Sequence, residues 1–185
     1  MAVESVYKNV YERKPIITNA AHCARALAFV ESGPIYFGLG KSSPWSENEG
    51  DSDFIPPEPN PNAENLEELI GLKKAERVAL VKPDESGEIE YAGMTFKTIT
   101  REEAFKEKAR WVLLETVIAF DELPPLSYRQ IGIFSHVKVK KGVGEKSALL
   151  AEDIEDVGIL EVLNNRKVVT RQADTKDSYF MIIEC

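Results

Sequence analysis

The spacing of apolar residues changes along this chain. Ile17, Ala20, Ala24, Leu27 and Ala28 recur at three- and four-residue intervals, within a stretch rich in alanine and leucine. That spacing predicts a helix over 20–31 with those residues as its apolar face. Thr18 or Asn19 can cap its start, and Ser32-Gly33-Pro34 stops it. After it the pattern is of strand type: Ile35-Tyr36-Phe37, then 78–81, a return over 89–99, a mostly apolar and central strand at 111–120, an alternating and half-buried one at 129–140, and a closing run at 178–185. Asp84-Glu85-Ser86-Gly87 is turn chemistry between two of these. Shorter segments read as a helix over 63–70 ended by Gly71, a charged helix or connection over 101–108, and a partly exposed connection over 148–158. Val3, Val6, Tyr7, Val10 and Tyr11 fit an arm or a short strand. The pattern gives about six strands. The fold class is mainly β (α+β), a β-sandwich-like scaffold with an N-terminal helix and long loops.

One stretch breaks the pattern. The strand at 35–37 runs through Gly38, Gly40, Lys41, Ser42 and Ser43 to Pro44-Trp45, then through an acidic run to Phe54-Ile55 and Pro56, Pro57, Pro59 and Pro61. Each proline removes a backbone donor and fixes φ, so no strand continues here. The result is a loop over 40–62, an excursion from a single domain spanning 1–185. Trp45, Phe54 and Ile55 need a surface to pack on, either the chain's own core or a partner, because plain disorder avoids such side chains.

Charge sharpens this picture. Between Lys41 and Lys73 there is no lysine or arginine, while eight acids fall in that interval. The stretch is either a solubilising face or a docking surface for a basic partner. The whole chain carries a net charge of −8, which disfavours binding to nucleic acid or to an anionic membrane. No apolar run is long enough to cross a bilayer, and the first residues hold no apolar signal core, so the chain is expected to stay in the cytosol where it is made. The two cysteines, Cys23 and Cys185, are expected as free thiols. With His22 and His136 they make no zinc pattern, and His22 and Cys23 read as packing residues on the helix.

The loop suggests two ligand chemistries. Gly40-Lys41-Ser42 has the ending of a phosphate-binding loop, but the required earlier glycine is Ile35, and Pro44 and acids follow where a helix N-terminus should hold the phosphate. The simpler reading is that the glycines let a strand end turn sharply. The run Glu47 to Asp53 offers oxygen ligands, but its spacing is wrong for a calcium loop. No catalytic set, metal cluster or cofactor motif emerges.

Three segments carry a resemblance. They are Tyr36 to Ser46 with its acidic continuation and Pro56-Pro57-Glu58-Pro59; Tyr128-Arg129-Gln130-Ile131-Gly132-Ile133; and Ile159 to Lys167, continued through Ala173-Asp174 to Met181-Ile182-Ile183-Glu184. In this order they resemble the smaller baseplate wedge proteins of contractile-tailed bacteriophages, whose dimer sits on the outside of the wedge. The resemblance covers about half the chain. It implies a structural virion protein of the tail baseplate, present in the host cytoplasm during assembly. It implies no enzymatic activity and no cofactor. Other baseplate and tail proteins and a second copy of the chain are the implied partners, without nucleic acid or membrane insertion. The candidate interface residues are Lys41, Pro44, Trp45, Phe54 and Arg166. The alternative is a small cytosolic enzyme that binds a phosphate ligand through Gly40-Lys41-Ser42.

Overall fold

The structure, a computed structural model, describes residues 16–185; the apolar positions at 3–11 lie outside the described residues. Helix α1 (Asn19–Glu31) is capped by Thr18, whose Oγ1 accepts the Ala21 amide at 3.3 Å. It ends where the Ser32 amide bonds Phe29 and Gly33 takes φ 105°. Its buried face is not the expected one. Cys23 and Ala26 are buried and Leu27, Phe29 and Val30 pack against the core, while Ile17, Ala20, Ala24 and Ala28 face solvent. The larger side chains remove more apolar area from water than three alanines do, and they set the rotation of the helix. Cys23 Sγ lies 3.7 Å from the Ala104 carbonyl and burial pushes its thiol up, while His22 Nδ1 meets the Cys185 carbonyl; both cysteines are free.

Twelve strands follow among the described residues, where the sequence pattern predicts about six. One antiparallel sheet has the order β11-β7-β1-β2-β9, formed by β1 (Tyr36–Gly40), β2 (Gly71–Lys74), β7 (Ser127–Ser135), β9 (Ala148–Leu150) and β11 (Ile159–Thr170). The second has the order β12-β6-β3-β5-β4, formed by β3 (Arg77–Pro83), β4 (Ile89–Tyr91), β5 (Met94–Thr98), β6 (Trp111–Ile118) and β12 (Asp177–Glu184). This second sheet curls until the ring of Tyr91 on β4 stands 5.5 Å from that of Phe180 on β12, so that it nearly closes. β8 (Lys138–Val139) and β10 (Ile154–Asp156) pair separately, and α2 (Ala104–Glu107) lies inside the expected 101–108 segment.

The sandwich core lies between the sheets. Phe37, Leu39, Ile131 and Ile133 from the first meet Leu80, Val112, Leu114 and Tyr179 from the second. Period-two alternation sends the neighbouring side chains the other way. Tyr36, Leu72 and Phe134 form a second cluster on the outer face of the first sheet, and Val81, Phe96, Leu113 and Ile182 form a third inside the curled sheet.

Several expectations are corrected. The return at 89–99 is itself a hairpin, β4 and β5, with Ala92 and Gly93 at φ 49° and 79° as a two-residue turn demands. The segment 148–158 holds β9 and β10 and is no mere connection. β7 is buried on both faces, because its outward residues are covered by the second cluster. Residues 63–70 form no helix. Leu66, 4% exposed, is drawn onto the outer face of β1 and β7, and Glu68 takes φ 47° as the segment extends alongside β1. The glycines explain how it fits. A Cβ on Gly40 would stand 2.7 Å from Leu66 Cβ, and one on Gly132 2.9 Å from Leu66 Cδ2. Gly40 therefore sits inside β1 as a place of close approach and is not a sharp turn.

Candidate assembly surface: the strapped loop

The loop begins at Lys41, just past β1, and the chain enters no regular element again before Gly71. The three segments that carry the resemblance supply three neighbouring strands, β1, β7 and β11, the third running on into β12 of the other sheet, and the loop is fastened to the first three. Its register is set by polar side chains.

Lys41, at φ 57°, turns the chain out of the sheet. Its amide bonds the Glu67 carbonyl at 2.5 Å, and its ammonium lies 3.1 Å from Glu67 and 3.6 Å from Glu68 carboxylate oxygens. The Ser42 hydroxyl donates to Glu68 Oε2 at 2.5 Å, the Ser43 amide donates to the same oxygen at 2.8 Å, and the Ser43 hydroxyl donates to Oε1. Those hydroxyl and amide hydrogen bonds, with Lys41 beside them, hold the Glu68 carboxyl down at about 2. The Gly-Lys-Ser turn does gather donors around an anion, but that anion is the protein's own carboxylate.

Farther out, Glu49 turns inward. Arg129 Nε donates to its two oxygens at 2.6 and 2.7 Å, and Arg129 Nη1 donates to the Ser42 carbonyl at 2.6 Å. Both side chains are only 8% exposed. Burial pushes Glu49 up, yet the hydrogen bonds from Arg129 and from the Trp45 amide, with the Arg129 and Lys41 charges, hold its carboxyl below the ordinary value. One member of the acidic run is thus consumed as a structural ion pair.

β11 holds the other side. Opposite β7 its pairing passes from Asn165↔Gln130 to Val169↔Tyr128, so a bulge falls at Arg166, Lys167 and Val168. The Arg166 carbonyl accepts the Trp45 indole N–H at 3.0 Å, and Lys167 Nζ donates to Ser52 O at 3.2 Å. Asn165 Nδ2 donates to Pro57 O at 3.0 Å while its Oδ1 accepts from Gln130 Nε2 at 3.0 Å, and Gln130 Oε1 accepts the Glu67 amide at 2.8 Å. Each of these bonds joins residues far apart in the chain.

The structure brings three of the predicted interface residues together. Lys41 Nζ lies 5.5 Å from the centre of the Trp45 ring, and Trp45 is bonded to Arg166. Trp45 is half-buried and both its N–H groups are bonded within the chain, so the indole helps to fasten the loop. Pro44 is exposed and borders a groove of about 530 Å³ with Val168 and Gly50. Phe54 is half-buried, and its amide bonds Asp51 O at 3.2 Å. Ile55, 83% exposed, is presented to the outside. The sequence reading missed Glu49, Glu68, Arg129, Gln130 and Asn165 as a group. A usable signal existed in Arg129-Gln130, two long polar residues at the head of an apolar strand.

Comparison with known proteins places the chain among phage structural proteins. Residues 14–185 match the family model described as baseplate wedge 3 tail fiber network component. The chain is also 35% identical over 158 residues to Virion protein 3 of Enterococcus phage phiEF24C, an alignment covering 81% of this chain and 84% of that protein.

Proposed function

The chain belongs to the baseplate wedge 3 tail fiber network component family, and we propose that it takes part in the baseplate by presenting the strapped loop to a neighbouring tail protein. It is a structural protein of the phage virion, and its family role is contact with other baseplate and tail proteins. In our reading it catalyses nothing, binds no nucleic acid, pairs with a second copy of itself and is assembled in the host cytoplasm. The feature that carries the docking reading is a contrast within the loop. Its frame is fixed by the buried Arg129–Glu49 pair and the indole bond to Arg166, while Pro44 and Ile55 face outward. A loop already ordered loses little entropy on docking, and exposed apolar side chains on it supply contact area. The runner-up phosphate reading is weaker because Glu68 occupies the donors of the Gly-Lys-Ser turn.

Ile55→Ser separates docking from folding. We expect an unchanged melting temperature and binding to the co-purifying tail protein weakened by about tenfold or more, as for a truncated contact residue worth over 1 kcal/mol. Trp45→Ala should lower both binding and melting temperature, because its indole also bonds the chain's own Arg166. An Ile55→Ser protein that binds normally would remove the loop from the interface. Light scattering of the purified protein reads the self-pairing directly.

A further inference from the structure

A second surface lies on the side of the sandwich where both sheets end. β11 is the last strand of its sheet and β12 the last strand of the other, and a cleft of about 470 Å³ runs between them. Consecutive residues from Lys176 to Met181 line it, so it follows the backbone of β12 and not only one face of the strand. β12 pairs with β6 in unbroken register from Asp177↔Ile118 to Glu184↔Trp111, and among the described residues no strand pairs with its outer edge, although Tyr91 of β4 packs on Phe180 there and also lines the cleft. Between Asp177 and Glu184 it has no proline, no lysine and no bulge.

The charge of the cleft is opposite to that of the molecule. The chain carries a net −8, yet Arg166 and Lys176 both line the cleft and neither is ion-paired among the described residues. Asp177, the acid in the lining, is taken by Arg171 at 2.6 Å. Arg166 Nε is buried and without a hydrogen-bond partner among the described residues. Arg110 Nε also lacks a well-directed hydrogen bond, but a Glu184 carboxylate oxygen lies 2.9 Å away; Arg171 holds one carboxylate and three carbonyls. Arg166 has no counterpart of either kind. Its guanidinium carbon stands 5.8 Å from the Tyr128 ring centre, beside the buried Tyr128–Tyr179 hydroxyl pair. Nε is the one buried orphan of this half-buried side chain, so a ligand in the cleft meets the Nη groups.

We propose that this cleft receives an extended acidic segment of another virion protein, its backbone pairing with the open edge of β12 and a carboxylate seated on Arg166 and Lys176. Strand addition supplies the backbone bonds, and the planar guanidinium supplies a charge-assisted, two-pronged contact to the acid. The β11 bulge at Arg166 is the structural reason a cation stands here, since the irregular pairing frees its side chain from the sheet's alternation. The site meets the loop only at Arg166, whose backbone and not its side chain fastens Trp45, and its test does not depend on Ile55.

The experiment uses the full chain in assembling particles. p-Benzoylphenylalanine in place of Phe180, which is 38% exposed and lines the cleft, is photolysed in infected cells, and the joined peptides are identified by mass spectrometry. We expect one cross-linked segment from another virion protein, carrying Asp or Glu within a few residues of the adduct. Arg166→Gln should cut the yield by about tenfold, the size of one lost charge-assisted contact. It should leave melting nearly unchanged, because Trp45 bonds the Arg166 backbone and not its side chain. Lys176→Gln, on an exposed residue, gives the same reading if Arg166→Gln lowers stability. Cross-linking to a second copy of this chain, to a segment without carboxylates, or to no protein overturns the proposal. So does a yield that neither variant changes.

Discussion

The 41–70 excursion and the closing strand β12 are both essential to the outline of the molecule, but different forces hold them. β12 is fixed by repetition. Eight residues pair in order with β6, Tyr179 and Ile182 reach two separate apolar clusters, and every bond has a neighbour like it. The excursion is fixed by single events. One carboxylate meets one guanidinium, one indole meets one carbonyl, and one asparagine spans to a proline carbonyl. Repetition tolerates the loss of any one contact and fails only when the strand goes. Single events fail one at a time, and loss of the Arg129–Glu49 pair leaves a buried charge to bear its desolvation cost.

The comparison breaks most visibly if β12 is removed. Deleting 178–185 takes away Tyr179 and Ile182 and uncovers β6, whose Val112, Leu113 and Leu114 are fully buried. It also removes Tyr179 Oη–H donation to Tyr128 and the Cys185 contact with His22 on α1. The expected product is insoluble protein, read by the partition of the truncated chain between supernatant and pellet. A soluble truncation with the full-length melting temperature would show that the ladder is peripheral.

The next effect is smaller and belongs to the loop. Glu49→Ala leaves Arg129, 8% exposed at its side chain, without its acid. Breaking such a pair from one side costs about 3–5 kcal/mol. Replacing both partners by apolar residues, Glu49→Leu with Arg129→Met, should cost clearly less than the single change, because no buried charge is then left alone. Denaturant unfolding of Glu49→Leu, Arg129→Met and the double closes the cycle. If the double mutant costs the sum of the singles, the pair acts as two independent packing residues and the contrast with β12 weakens.

That contrast also explains what could be read from the chain. The helix over 20–31, the closing strand, the turn at Asp84 and the strand expected over 111–120 rest on local pattern, and each is found within two residues of where the pattern puts it. The rotation of α1 was misread because alanines at helical spacing look apolar without having the area to decide a face. Residues 63–70 look helical for the same local reason, and Leu66 is taken instead by a hollow that Gly40 and Gly132 provide. The short strands β8, β9 and β10 are too brief to show a period. That a loop leaves β1 was legible from its prolines and acids, but it runs on to residue 70 and not to 62. Its fastening was not legible, because Glu49 and Arg129 stand 80 residues apart and no local rule pairs them.

The smallest expected effect is the most selective, and it concerns acid. Glu68 lies at about 2 in the folded protein against an ordinary 4.5. Its hold on Ser42 and Ser43 is therefore complete above about 4.5 and is lost as the pH falls through about 2, where the carboxylate gains its proton. Overall acid unfolding cannot isolate this, since Asp84 on the other sheet is also held far below its ordinary value, by hydrogen bonds from Lys97 and Ser86. The local reporter is the Ser43 amide, 2.8 Å from Glu68 Oε2. In an NMR titration its shift should move with a midpoint near 2, and Glu68→Gln should abolish that movement while leaving the Ser86 amide, 3.0 Å from Asp84, to titrate as before. A Ser43 midpoint near 4.5 would show that the Gly-Lys-Ser turn does not hold its own carboxylate, and would return those donors to an external anion.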